Sequence, residues 1–217
     1  MTSTRASRVV RLLSASVLLT GLGLVGTTGT ASAAPGSKPL VKVLGADGTA
    51  FDANAHDFDI VEAAVLAVLA EKPNSPLALI TKGNQRLTVF LPTDGAFRRL
   101  VKDLTGKAPQ REKAVFKRVA ALTGDIDTLE TVLLYHVVPG KTLTSPKVIA
   151  AAKANAAVET AAGASFGVRA DPGGKIRLAD ADRNDKDPRA IPRLLDINRG
   201  NKQVAHGINR VLRPLDL

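Results

Sequence analysis

Residues 87 to 97 read Leu87-Thr-Val-Phe-Leu-Pro-Thr-Asp-Gly-Ala-Phe97, a strand, a stop and a helix start in direct succession. Leu87 to Leu91 is a β-favouring run with almost no polar break, the pattern of a buried strand. Pro92 has no N–H to donate, so ladder pairing is expected to end there. Thr93 and Asp94 carry side-chain oxygens that can accept from the free N–H groups of a helix start. The helix expected behind them puts Phe97, Leu100, Val101 and Leu104 on one face.

Toward the N-terminus, Ile60, Val61, Ala64, Val65, Val68 and Leu69 recur at helical spacing until Pro73 stops the pattern. Ser75-Pro76 opens a short helix over Leu77 to Ile80 that closes near Gly83. Residues 34 to 54 read as a linker or N-terminal extension whose apolar patch, Leu40 to Leu44, docks one short strand. The domain proper is expected over residues 55 to 217. Toward the C-terminus, a basic helix runs from Arg111 to Leu122 and ends at Gly124. Asp127 and Glu130 have the spacing of a capping box for a helix carrying Leu129, Val132, Leu133 and Leu134.

Beyond Pro139-Gly140 the pattern changes. Thr142 to Ser145, Ala164 to Ala170, Lys175 to Ala181, Leu194 to Asn198 and Val204 to Leu212 are short strand candidates between turns. Asp171-Pro-Gly-Gly174 is the clearest hairpin signal in the chain. Helices first and strands later argue for an α+β fold, not an alternating parallel sheet.

Composition narrows the function. Of the 217 residues, 45% are hydrophobic and 23% charged, as in folded globular proteins. Cysteine is absent, which removes disulfides, thiolate metal sites, a cysteine nucleophile and a lipidated cysteine anchor. With six Phe, one Tyr and no Trp, the chain has almost no flat surface on which to stack single-stranded bases. Thirty basic residues against twenty acidic ones give a formal charge of +10, which favours an anionic partner. Arg5, Arg8 and Arg11, the apolar run Leu12 to Val25, and Ala31-Ser32-Ala33 fit a signal peptide over residues 1–33. A twin-arginine pair is missing, so the general secretory route is expected. A retained anchor is the alternative, but the run is short and rich in Gly and Ser for a spanning helix. The mature chain is therefore expected to be secreted and extracellular, with no later membrane-spanning segment. The style of the signal and export without cysteine suggest a bacterial host.

Three segments taken together resemble the fasciclin domain family: Leu87 to Phe97, Leu133-Leu-Tyr-His-Val-Val-Pro-Gly140, and Val204-Ala-His-Gly-Ile-Asn-Arg-Val-Leu-Arg-Pro214. Thr160 to Val168 also sits where the family has a Thr, a Gly and a strand. The resemblance runs over residues 55 to 217. It implies an α+β wedge of two β-sheets flanked by helices from the N-terminal half, used in cell adhesion and in matrix or cell-surface association. It also implies that Pro92, Thr93, Asp94, Phe97, Tyr135, His136 and His206 form the adhesion or structural motif. The physical character of these residues is mainly architectural: capping groups, and rings with one polar edge that finds a backbone partner. The chain departs from the family in Asn209, where an aspartate is common, and in its basic stretches 98–118 and 188–203.

Catalytic and metal chemistry find weaker support. Gly163-Ala-Ser-Phe-Gly167 satisfies the nucleophile-elbow pattern, with His206 downstream. That chemistry needs serine on a turn between strand and helix, whereas the residues after Ser165 read as a hairpin. Asp180, Asp182, Asn184, Asp185 and Asp187 crowd one loop, but an EF-hand wants glycine and glutamate where Asp185 and Ile191 stand. A solvated turn is the better reading. His56, His136 and His206 show no ligand spacing, so no catalytic residue, metal or cofactor is assigned.

Arg98, Arg99, Lys102, Lys107, Arg111, Lys113, Lys117 and Arg118 form the densest basic tract. It reads either as a soluble helix face or as a contact for acidic glycans, wall phosphates or headgroups. Duplex DNA would suit the charge, yet no recognition motif accompanies it. The expected function is a secreted, non-enzymatic adhesion domain. The alternatives are a carrier of a small hydrophobic ligand in a helix–sheet crevice, and a serine hydrolase using Ser165.

Overall fold

Every residue of the strand Leu87–Pro92 is buried, because one core lies on each side of it. The computed structural model of the protein describes residues 34–46, 48 and 51–215, so the expected export signal, residues 1–33, lies outside the described residues. In chain order the helices and strands of the first half are α1 (Val41–Leu44), α2 (Asp59–Glu71), β1 (Leu87–Pro92), α3 (Asp94–Thr105), α4 (Glu112–Thr123) and α5 (Ile126–Tyr135). The second half adds β2 (Val137–Pro139), α6 (Ser145–Lys153), β3 (Ala157–Glu159), β4 (Ser165–Ala170), β5 (Ile176–Ala179) and β6 (Gln203–Ile208). Short 3-10 helices occupy Pro76–Thr81 and Pro192–Leu194. The fold is α+β with two three-stranded sheets, ordered β2-β1-β6 and β3-β4-β5.

The period-two geometry of a strand explains how β1 serves both cores. Leu87, Val89 and Leu91 join the core built with α2, α3, α4 and α5. Phe90 points the other way, into a core shared with the second sheet and α6. There Phe90 meets Phe166 edge-on at 5.3 Å between ring centroids, and Tyr135 meets Phe166 at 6.0 Å. Such T-shaped contacts bring the positive edge of one ring to the negative face of the next. β1 pairs antiparallel with β2 and parallel with β6, in register Leu87↔Gln203 to Pro92↔Ile208. The first sheet is therefore mixed, and its central ladder joins the early and late parts of the chain.

Several local expectations change in three dimensions. Val41–Leu44 is a helical turn, not a strand. It is no loose linker either: Leu40 and Leu44 enter the helix-side core, and Gln203 Oε1 accepts from Leu40 N at 2.8 Å. The same Gln203 donates to the carbonyls of Leu79 and Lys82, so one buried amide ties the N-terminal turn and a 3-10 helix to β6. Ser145–Lys153 is a helix where only a strand end was expected. Its first N–H and the Ser145 hydroxyl bond the Asp196 carboxylate at 2.6 and 2.5 Å, so its terminal partner lies far along the chain. Helices therefore do not all precede strands. Leu194 to Asn198 forms a 3-10 end and a single bridge, Ile197↔Ala205, in place of a strand.

Thr93 is the N-cap of α3 but makes no side-chain cap, while Asp94 Oδ1 accepts from Ile60 N and so serves the start of α2. The cap of α5 is Asp125, whose carboxylate accepts from Thr128 N at 2.7 Å; Asp127 and Glu130 instead pair with Lys72. A cap contributes about 1 kcal/mol, whereas an exposed ion pair contributes less. Denaturant melts should therefore show Asp125→Ala costing about 1 kcal/mol and Asp127→Ala no more than about 0.5 kcal/mol.

Candidate functional site

Pro92, Thr93, Asp94, Phe97, Tyr135, His136 and His206 are all buried. His136 closes the C-terminus of α5, with Nδ1 2.8 Å from the Val132 carbonyl and Nε2 accepting from Leu212 N at 2.9 Å. Because Nε2 accepts, the ring proton sits on Nδ1. His206 is arranged the opposite way: Nδ1 accepts from Asp196 N, and Nε2 donates to the Leu143 carbonyl at 2.6 Å. Burial holds His136 down at about 4 and also lowers His206, so both are neutral imidazoles bracing loops. The Tyr135 hydroxyl donates to the Ser165 carbonyl at 3.0 Å, joining α5 to β4. Burial, aided by Asp180, pushes that phenol up to about 12. His56 is exposed and lies apart in the loop before α2.

Ser165 is exposed at the first position of β4, paired with Glu159, and the chain after it forms the β4–β5 hairpin. Its backbone lies along a strand, so the elbow geometry is not formed. The acidic loop 180–187 is not simply a solvated turn. Asp182 is buried against Arg213 at 2.9 Å, Asp185 pairs with Arg210 and Arg213, and Asp187 pairs with Arg177. Burial raises the Asp180 carboxyl to about 6, against the pull of the Arg213 N–H.

The basic tract stands around two open depressions on α3 and α4. Arg98, Arg99, Lys102 and Lys107 line one of about 580 Å³. Within it the Arg98 guanidinium donates to Gln110 O and that of Arg99 to Asn209 O, each at 2.7 Å. Lys117 and Arg118 line the second, of about 260 Å³, while Arg111 and Lys113 are exposed nearby in sequence. The apolar crevice expected between helices and sheet lies instead among α3, α4 and α5. It is a cavity of about 320 Å³ walled by residues such as Phe97, Leu100, Leu104, Val119 and Val132, with His136 and Val211 at its edge.

One cluster was not foreseen from the sequence. Carboxylate oxygens of Asp57, Asp94 and Glu112 lie within 4.8 Å of one another, and Asp57 is also grouped with Asp52 and Asp59. Burial raises the Asp94 carboxyl to about 8; the Ile60 N–H opposes this, while Asp57 and Glu112 add to it. Burial also raises Glu112, against the Asp52 N–H that donates to it. Glu112 sits inside a basic tract in the sequence, so no linear pattern joins it to Asp94.

A fasciclin domain model matches residues 64–214 of the chain. Among solved structures the chain is similar to a FAS1 domain pair from the insect cell adhesion molecule fasciclin I, at 16% identity and a TM-score of 0.39. That match covers 71% of this chain and 43% of the other, so the chain spans less than half the length of that solved protein. A search of curated proteins finds no match. Among the described residues, no helix is long and apolar enough to cross a membrane.

The buried imidazoles set a pH dependence. The unfolded chain protonates His136 below its ordinary 6.5, while the folded chain resists until about 4, so acid favours unfolding within that window. His136→Gln removes this contribution along with one well-placed hydrogen bond. Its stability deficit against the parent, measured by denaturant melts from pH 7 to 5, should shrink by about 1 kcal/mol per pH unit.

Proposed function

The chain belongs to the fasciclin domain family, and from that premise we propose that it is a secreted, non-enzymatic domain that holds to anionic polymers at a cell surface or in an extracellular matrix. The family is one in which cell adhesion is common, which supports the class of function. The observation that carries the chemistry is the array of basic side chains on α3, α4 and the loop between them. Arg99, Lys102, Lys107, Arg111, Lys113, Lys117 and Arg118 are all exposed, and no carboxylate among the described residues pairs with them. The motif residues Pro92 to Phe97, Tyr135, His136 and His206 then act as the scaffold. Their buried side chains aim the basic helices outward without touching the partner.

Exposed charge of one sign attracts polyanions through a field that salt screens within about 10 Å at ordinary ionic strength. Retention on an immobilised sulfated polysaccharide should therefore weaken at least about tenfold between low and high salt. The triple substitution Lys102→Glu, Lys107→Glu, Lys117→Glu should lower low-salt affinity by at least about tenfold while leaving the thermal midpoint nearly unchanged, since all three residues are exposed. Salt-insensitive retention, or a triple variant that binds like the parent, would refute the polymer reading.

A second reading rests on the cavity among α3, α4 and α5, whose volume suits a small apolar molecule. In that reading the protein carries a hydrophobic ligand; both ring nitrogens of His136 are already bonded, which leaves the Thr123 hydroxyl as a polar group on the wall. Native mass spectrometry of the purified protein should then show a co-purifying mass that Leu100→Trp, which fills the cavity, abolishes. An unliganded mass in the parent protein would count against it.

A further inference from the structure

Asp57, Asp94 and Glu112 stand at the beginnings of three different helices. Asp57 precedes α2, Asp94 is the first residue of α3 and Glu112 the first of α4. Asp94 is 0% and Glu112 1% exposed. Each has one oxygen committed to a backbone N–H: Asp94 Oδ1 to Ile60 at 3.0 Å, and Glu112 Oε2 to Asp52 at 2.7 Å. Glu112 Oε1 is buried with no hydrogen-bond partner, and the buried Asp94 carboxyl has the side chain of Asp57 as its neighbour. Among the described residues, no lysine or arginine forms an ion pair with either carboxylate.

Leaving a buried carboxylate oxygen bare is costly. A helix N-terminus carries a partial charge of about +0.5, which makes these helix starts favourable places for acids. A hard cation among them would satisfy the bare oxygen and favour the ionised form of all three acids. The donors are all oxygens, which selects a hard ion over zinc or copper. The ligand oxygens all lie within 4.8 Å of one another, close enough for one ion to bridge the three, and calcium accepts irregular oxygen ligands over a range of about 2.3–2.6 Å. Magnesium demands a near-ideal octahedron at about 2.1 Å and keeps its waters tightly, so it suits three carboxylates fixed by separate helices less well.

We propose that Asp57, Asp94 and Glu112 form a calcium site that clamps the starts of α2, α3 and α4 together. The loop 52–59, whose Asp52 is exposed, is the side from which the ion enters and from which water completes its coordination. The site is independent of the polymer contact, because none of its ligands belongs to the basic face. It would nonetheless fix the helices that carry that face.

The test uses the purified protein stripped with a chelator and then titrated with calcium chloride or magnesium chloride. Equilibrium dialysis should show one calcium bound per chain, and at about 10 mM calcium the thermal midpoint should rise by about 3–6 °C. Magnesium should give a smaller rise at the same concentration. Glu112→Gln, which keeps the shape but loses the charge, should bind calcium at least about tenfold more weakly, while the basic-face triple variant should bind it as the parent does. Should Glu112→Gln fail to fold, Asp57→Asn provides the same comparison, and dialysis of the parent protein decides without either. No calcium bound by the parent at 10 mM, or undiminished binding in the folded carboxamide variant, would overturn the proposal.

Discussion

A strand that sends alternate side chains into two different cores has to be covered twice, and that requirement organises this molecule. Leu87, Val89 and Leu91 need a helical layer, and Phe90 needs a second sheet. The chain meets both demands by pairing β1 with β6, so that residues more than a hundred positions apart lie side by side in parallel register. Parallel strands cannot be joined by a tight turn and need a crossover between them. Here the crossover contains most of the domain: three helices on one side, then a helix and a small antiparallel sheet on the other.

Buried polar groups then hold the two layers to the central sheet. Gln203 bonds the backbone at Leu40, Leu79 and Lys82, while His136 bonds the carbonyl of Val132 and the N–H of Leu212. His206 joins Leu143 to Asp196, and Tyr135 reaches the Ser165 carbonyl. Each of these contacts satisfies backbone groups that would otherwise be buried without partners. This is why the side chains of the motif that marks the family are spent on the interior. The lysines and arginines between Arg99 and Arg118, by contrast, stay exposed on the outside.

The buried carboxylates illustrate a different arrangement, in which acids from three helix starts converge on one another. Asp94 reaches back from its own helix to cap α2, and that reach brings it to Asp57. Glu112 arrives from a tract that is otherwise basic and bonds the backbone of Asp52. Acids at three helix starts thus meet at one point, and the first turn of α2 gives an N–H to one of them.

Local chemistry made much of the fold legible from the amino acids alone. The run Leu87 to Leu91 ended by Pro92 announced β1, the helical spacing from Ile60 to Leu69 announced α2, and Asp171-Pro-Gly-Gly174 announced the β4–β5 hairpin. The three motif segments pointed to the family, and the strand character after Ser165 argued against an elbow. Helix α6, the capping of α2 by Asp94, the role of the 180–187 acids, the position of the cavity and the acidic cluster were not legible. In every case the decisive partner lies elsewhere in the chain: Asp196 for α6, Ile60 for Asp94, Arg213 for Asp182, Val211 beside the cavity, Asp57 for Glu112. Periodicity, proline and capping residues act within a few positions and can be read in order. Charge compensation and cavity shape depend on which distant residues come to lie within a few ångströms, and only the folded chain decides that.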